Sequence, residues 1–127
     1  MNNELREIAR DSWSEELDSF SRQHEGWIVS VETRNPDGSV AVEARDLPLQ
    51  GVSCASPQAS DVAVSVGDRD SHLTHEVRDT TALRLELTPE GAERALIIDG
   101  RDGAQTRVEF RSPMRPEDVD GQPVPWP

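Results

Sequence analysis

Three imidazoles, one thiol and one acidic turn are the groups in this chain with the widest chemical reach. His72 and His75 stand three apart, which on a strand sends them to opposite faces, so they share a metal only if the strand breaks between them. Just upstream, Asp68-Arg69-Asp70-Ser71-His72 sets two carboxylates and one imidazole on a turn. Asp68, Asp70 and His72 are therefore the weak candidates for a divalent cation. Their number and spacing match no known ligand class, and acidic turns are ordinary in a chain with 25 acidic residues, so neither metal nor cofactor is expected. His75 lies in the apolar register between Leu73 and Val77 and is expected to point inward. There it is either a hydrogen-bonded core histidine or a histidine facing a pocket, and the first reading is preferred because buried polar groups are usually satisfied. His24, at the last turn of a predicted helix, is expected to interact with the negative end of the helix dipole.

Nucleophilic chemistry has little to build on. Cys54 with His75 is the one thiol–imidazole combination, and a lone cysteine in an apolar run reads as packing. No Gly-x-Ser-x-Gly elbow occurs, and Gly100-Arg101-Asp102-Gly103 is too short and too acidic to cradle phosphate. An enzyme is not expected. Trp27 and Trp126 are large aromatics able to anchor an interface, although Trp27 also reads as a core filler.

These residues need elements to hold them. Residues 1–10 read as an extended arm or a loose first turn. A helix is predicted over about 12–24: Ser12 and Glu15 form a Ser-x-x-Glu capping box, Trp13, Leu17, Phe20 and His24 share one face, and Gly26 supplies the left-handed stop. From Trp27 the hydrophobic period becomes two. Alternating runs reach Val31, then Val40–Ala44, Val62–Val66, Leu73–Val77, Leu83–Leu87, Leu96–Ile98 and Thr106–Phe110, with turns at Asn35-Pro36-Asp37-Gly38 and Thr88-Pro89-Glu90-Gly91. Leu47–Cys54 contains Pro48 and Gly51 and reads as an edge strand or a bulge. The expected fold is mostly β (α+β): an antiparallel meander of about eight strands, curled into a small barrel or strongly bent sheet and covered by the one helix. Residues 1–111 form the domain. Residues 112–127, with five of the nine prolines, form a Pro-rich tail.

At 127 residues there is room for one domain. The formal net charge is −12, and all 13 bases are arginine with no lysine at all. Either a GC-rich genome or a salt-rich cytoplasm accounts for that bias. A field this negative disfavours nucleic acid. No apolar run is long enough for a membrane helix, and the first residues lack a signal-peptide pattern, so a cytoplasmic address is expected.

Several segments carry a resemblance. Arg6-Glu7-Ile8, Trp13 with Phe20-Ser21-Arg22, His24-Glu25-Gly26-Trp27 and Asp46-Leu47-Pro48-Leu49-Gln50-Gly51 are similar to a family of small bacterial proteins of unknown function, as are His75-Glu76-Val77 and Phe110-Arg111-Ser112-Pro113-Met114-Arg115-Pro116. The resemblance spans nearly the whole domain, its motifs are those of packing and turns, and it implies no activity or catalytic residues. Three functional readings follow. The foremost is a non-enzymatic module that binds another protein or itself through an edge strand or the tail. The second is a small-molecule or metal-binding protein centred on His75 and the Asp68–His72 turn. The third is a small-barrel nucleic-acid binder, which the charge opposes.

Overall fold

The computed structural model describes residues 4–54, 60–68 and 70–114. Its elements are strand β1 (Glu4–Glu7), a 3-10 turn (Arg10–Ser12), helix α1 (Trp13–His24), and strands β2 (Ile28–Arg34), β3 (Val40–Cys54), β4 (Val62–Gly67), β5 (His72–Val77), β6 (Thr80–Leu87), β7 (Glu93–Gly100) and β8 (Gln105–Met114). The strands form one antiparallel sheet in the order β1-β6-β7-β8-β2-β3-β4-β5. Within the segment read as an extended arm or a loose first turn, Glu4–Glu7 is the edge strand β1, laid along β6.

The helix begins where its apolar face begins, but not by the expected device. Ser12 makes no side-chain cap hydrogen bond. Instead its N–H bonds Ala9 O at 2.9 Å, closing the 3-10 turn, and Trp13 Nε1 donates to Ile8 O at 3.0 Å. A buried indole fixes the entry, so the Ser12–Glu15 capping box is not used. Trp13, Leu17, Phe20 and His24 are all buried, as their spacing requires, and Gly26 has φ 86°.

The largest departure from expectation is β3. Leu47–Cys54 carries the irregularity that Pro48 and Gly51 suggest, a register shift between Leu49 and Gly51, but it is neither separate nor an edge strand of the sheet: it continues Val40–Asp46 as one 15-residue strand. β3 pairs with β2 from Val40 to Pro48 and with β4 from Leu49 to Cys54. Just before the change of partner Asp46 takes φ 52°, and register shifts lie across it and to either side. Such irregularities bend a strand and sharpen its twist. The effect is visible across the sheet. β5 is three strands from β2 in the hydrogen-bonded order, about 14 Å in a flat sheet, yet His75 Nε2 on β5 lies 3.5 Å from Thr33 Oγ1 on β2. The sheet folds over its own inner face. It does not close into the barrel that was one of the two expected forms: β1 and β5 are the ends of the strand order. Valines, leucines and isoleucines of the inner face merge with the helix residues into a single core.

The outer face explains why arginine serves where lysine would not. Arg107 forks onto Glu86 with bonds of 2.9 and 2.8 Å, Arg84 meets Asp99 at 2.8 Å, and Arg94 lies against both Glu86 and Glu109. The bonds to Glu86, together with its charge, hold the Arg107 guanidinium charged more firmly than usual. Beneath this lattice Ile97 and Ala95, on the outward side of β7, are only 4% and 0% exposed. A planar fork that bonds two carboxylate oxygens at once gives such a lattice its geometry.

Two predictions concern the turns. Gly67 has φ 111°, and a Cβ there would sit 2.0 Å from Ser71 O, whereas at Gly38, φ 91°, nothing lies within 4 Å. Gly38→Ala is expected to cost about 1–2 kcal/mol, the left-handed penalty alone. Gly67→Ala adds a backbone clash and is expected to cost on the order of 3 kcal/mol or more. Urea unfolding of the two variants ranks them, and equal losses would contradict the account. In the β2–β3 turn, Asp37 Oδ1 accepts bonds from Ser39 Oγ and Ser39 N at 2.7 and 2.9 Å, and these hold its carboxyl below the ordinary range, the hydroxyl contributing most. A depressed folded value means that this contribution to stability is present above the unfolded value and lost as pH falls through the folded one. Ser39→Ala is expected to move the Asp37 titration upward in a carboxyl-carbon NMR series. An unmoved midpoint would count against the hydroxyl.

Candidate functional site

Three polar constellations stand out, one at each end of the inner face and one between the helix and the sheet. The first surrounds His24. Its Nδ1 lies 2.8 Å from Phe20 O and its Nε2 lies 2.8 Å from Glu93 Oε2. A carbonyl only accepts, so Nδ1 carries a hydrogen. Nε2 and Oε2 would then meet lone pair to lone pair unless a proton lies between them, on the imidazole or on the carboxyl. Glu93 Oε2 is buried and finds no other donor among the described residues. Glu93 reaches inward because of a register shift between it and Ala95, which leaves Arg94 among the outer-face carboxylates. Aromatic rings close the cage: Phe110 stacks on the imidazole at 4.8 Å, Phe20 tilts at 4.5 Å and Trp27 meets it edge-on at 4.6 Å. His24 does bond the last turns of its helix, through Phe20 O, but the decisive partner, Glu93, lies far away in sequence on β7. Trp27, a candidate binding residue, is a wall of this cage and also packs on Phe110 at 5.2 Å.

The second constellation is His75. It shares the inner face with Val64, between exposed Leu73 and buried Val77, at the open end of the bent sheet. Nδ1 lies 3.2 Å from Glu43 Oε2, and Nε2 lies 3.3 Å from Thr106 Oγ1 and 3.5 Å from Thr33 Oγ1. Here a proton on Nδ1 goes to the carboxylate, while Nε2 can accept from a threonine hydroxyl. No further proton is required, in contrast to His24. The residue points inward as its register predicts, yet it is neither sealed nor lining the large cleft described below, and its bonds go to side chains rather than to backbone. Glu43, Thr33 and Thr106 carry no signal of this role in the sequence, because the bend in β3 brings them together. The Asp68–His72 turn holds itself: Asp68 Oδ1 accepts from Asp70 N and Ser71 N, both at 2.9 Å, while His72 is exposed. Among the described residues no group of three or more His, Cys, Asp or Glu could hold a metal ion. Trp126 lies outside the described residues.

The third constellation is a cleft of about 640 Å³ between α1 and the second half of β3, reaching Ser65 on β4. Ser14, Glu15 and Asp18 form its helical wall, and Gln50–Cys54 forms its floor. Cys54 is half-buried and free. Ser21 explains why the cleft exists. Its Oγ accepts from Val52 N at 2.8 Å and shares its one hydrogen between Leu17 O and Val52 O, at 2.7 and 2.9 Å. The serine thus stands in for a neighbouring strand. Since both main-chain groups of Val52 point away from β4, those of Cys54, two residues on in unbroken register, point the same way and into the cleft.

The sequence matches a family of unknown function, DUF5335, over residues 4–119. The chain belongs to that family. Strand β8 of this DUF5335 domain runs to Met114, three residues into the segment read as tail, and the matched region extends five further. No curated protein and no solved structure matches the domain. No helix among its described residues is long and apolar enough to cross a membrane.

The His24 cage yields a stability test. Glu93→Leu strands a buried imidazole nitrogen and is expected to cost about 1–3 kcal/mol. Glu93→Gln, whose amide can donate to Nε2, is expected to cost clearly less. Denaturant midpoints decide the matter, and a Gln variant as weak as the Leu variant would remove the shared proton from the account.

Proposed function

We propose that this domain is a non-enzymatic binding module that takes an extended, positively charged segment of another protein in the cleft between α1 and β3. The observation that carries the reading is the aim of the Cys54 main-chain N–H and C=O into a cleft walled by Glu15 and Asp18. A strand edge at the bottom of a groove pairs with an extended chain through main-chain bonds, and pockets beside it read alternate side chains. The carboxylates select lysine or arginine for those positions. Asp18 already has a partner in Arg22 at 3.1 Å, but that pair is largely solvent-exposed, and such pairs contribute little and exchange readily. The overall charge of −12 attracts a basic partner from a distance and repels nucleic acid. The imidazoles of His24 and His75 are engaged in the contacts above, which accords with a binding role.

The test is a titration of the isotope-labelled full chain with a peptide of alternating valine and arginine, beside a control in which glutamate replaces arginine. The basic peptide is expected to shift the amides of Ser14, Asp18, Ser53 and Cys54 and to weaken as salt is raised, while Glu15→Gln combined with Asp18→Asn reduces its affinity severalfold. Equal binding of both peptides, or shifts confined to other surfaces, would overturn the proposal.

A further inference from the structure

We infer that β5 is a self-complementary edge through which two copies of this chain pair antiparallel about a twofold axis at Thr74. This rests on a different strand edge from the cleft, so either proposal can fail alone. The direction of every main-chain group on β5 follows from Ser21. Because Val52 gives both its N–H and its C=O to Ser21, it bonds nothing on β4, and Val64 opposite it must turn its own groups toward β5. His75, the partner of Val64, therefore bonds back to β4. Thr74, and with it His72 and Glu76, aim N–H and C=O off the free edge. The register from Val62↔Val77 to Gly67↔His72 contains no shift, so this alternation holds along the whole strand.

Natural sheet edges are usually blunted by proline, lysine, bulges or inward charges. This edge, His72-Leu73-Thr74-His75-Glu76-Val77, has no proline and no bulge, and its one formal charge is Glu76, which holds Arg78 at 2.9 Å in an exposed pair that exchanges readily. A twofold axis perpendicular to the sheet keeps the inner face of one copy continuous with that of the other. Centred on Thr74, it sets Thr74 against the second copy's Thr74, with outward N–H and C=O groups exchanged. It sets His72 against the second copy's Glu76, and Glu76 against the second copy's His72, again at outward-facing main-chain positions. Leu73, 38% exposed, falls opposite the second copy's His75 on the inner face. Every hydrogen-bonding position is met, hydroxyl faces hydroxyl, and imidazole faces carboxylate twice, the kinds of cross-strand pair that favour a register. Centring on His75 instead sets imidazole against imidazole and leaves Glu76 opposite threonine. The Thr74 register is the one that complements itself.

Each copy carries −12, so the long-range field opposes approach and the short edge yields a weak dimer that tightens as salt screens the repulsion. Sedimentation equilibrium of the full chain, up to roughly 1 mM protein and at low and high salt, is expected to show a reversible dimer favoured by salt. Thr74→Pro removes an N–H that bonds nothing within the subunit and is expected to give a monomer with an unchanged unfolding midpoint. His72→Glu is expected to weaken the dimer about tenfold, and combining it with Glu76→Lys is expected to restore it, since the swapped charges again face each other. A wild-type chain that stays monomeric at every concentration and salt, a dimer that survives Thr74→Pro, or a charge swap that fails to restore association would each overturn the inference.

Discussion

The bend in β3 is the constraint on which the rest of this molecule depends. A sheet with one apolar face must have that face covered, and a single 12-residue helix is too small to cover eight strands. The chain solves this by making one long strand belong to two walls. The left-handed residue at Asp46 and the flanking register shifts turn the β4–β5 part of the sheet over the β2–β8 part, so that the sheet supplies most of its own cover. The helix fills what remains, along the Gly51–Cys54 end of β3 that β2 does not reach, and Ser21 satisfies the strand edge exposed there. The curled interior has two open ends. Each is occupied by a histidine and a glutamate, His24 with Glu93 at the aromatic end and His75 with Glu43 at the threonine end.

Much of the fold was legible because it depends on local pattern. The period of two in Val62–Val66 or Leu83–Leu87 marks which residues face inward, and the burial of those residues follows it. The helix face was equally plain. What could not be read is what depends on a single backbone angle or a shift of register. Pro48 and Gly51 signal an irregular strand, but nothing in Leu47–Cys54 reveals that it is the second half of a longer strand, because Asp46 has no more turn-forming character than the eleven other aspartates. The first residues read equally as an extended arm or a loose turn, and only the tertiary structure, by pairing Glu4–Glu7 with β6, decides for the strand. Ser12 was misleading: its spacing to Glu15 is that of a cap, yet Trp13 buries its indole against Ile8 O and sets the first turn instead.

The functional constellations were less legible than the fold, for a related reason. His75 was assigned to the inner face by alternation alone. Glu43, Thr33 and Thr106 come from three other strands, and their convergence is a property of the bend. Glu93 is harder still. In a regular strand it would share the face of Ala95, Ile97 and Asp99, on the outside. One irregularity moves it to the interior, where its carboxylate becomes part of the core. Arginine usage was visible as a count, but its purpose was not. The ladder of Arg84, Arg107 and Arg94 over Ile97 makes the outer side of β7 dry without making it greasy, so that a central strand is shielded on both sides.

The position of β8 has a consequence for how such a chain comes into being. Of the described strands, the last in chain order lies in the middle of the sheet, between β7 and β2. Until it emerges from the ribosome, β2 lacks a neighbour on one side, the β6–β7 hairpin is joined to the N-terminal segment through β1 but not to β2, and the aromatic cage lacks Phe110. The growing polypeptide must therefore carry unfinished hydrophobic surface until β8 has been made. Closure requires insertion of one central ribbon between β7 and β2, a topology rich in non-local pairings and hence slow to form.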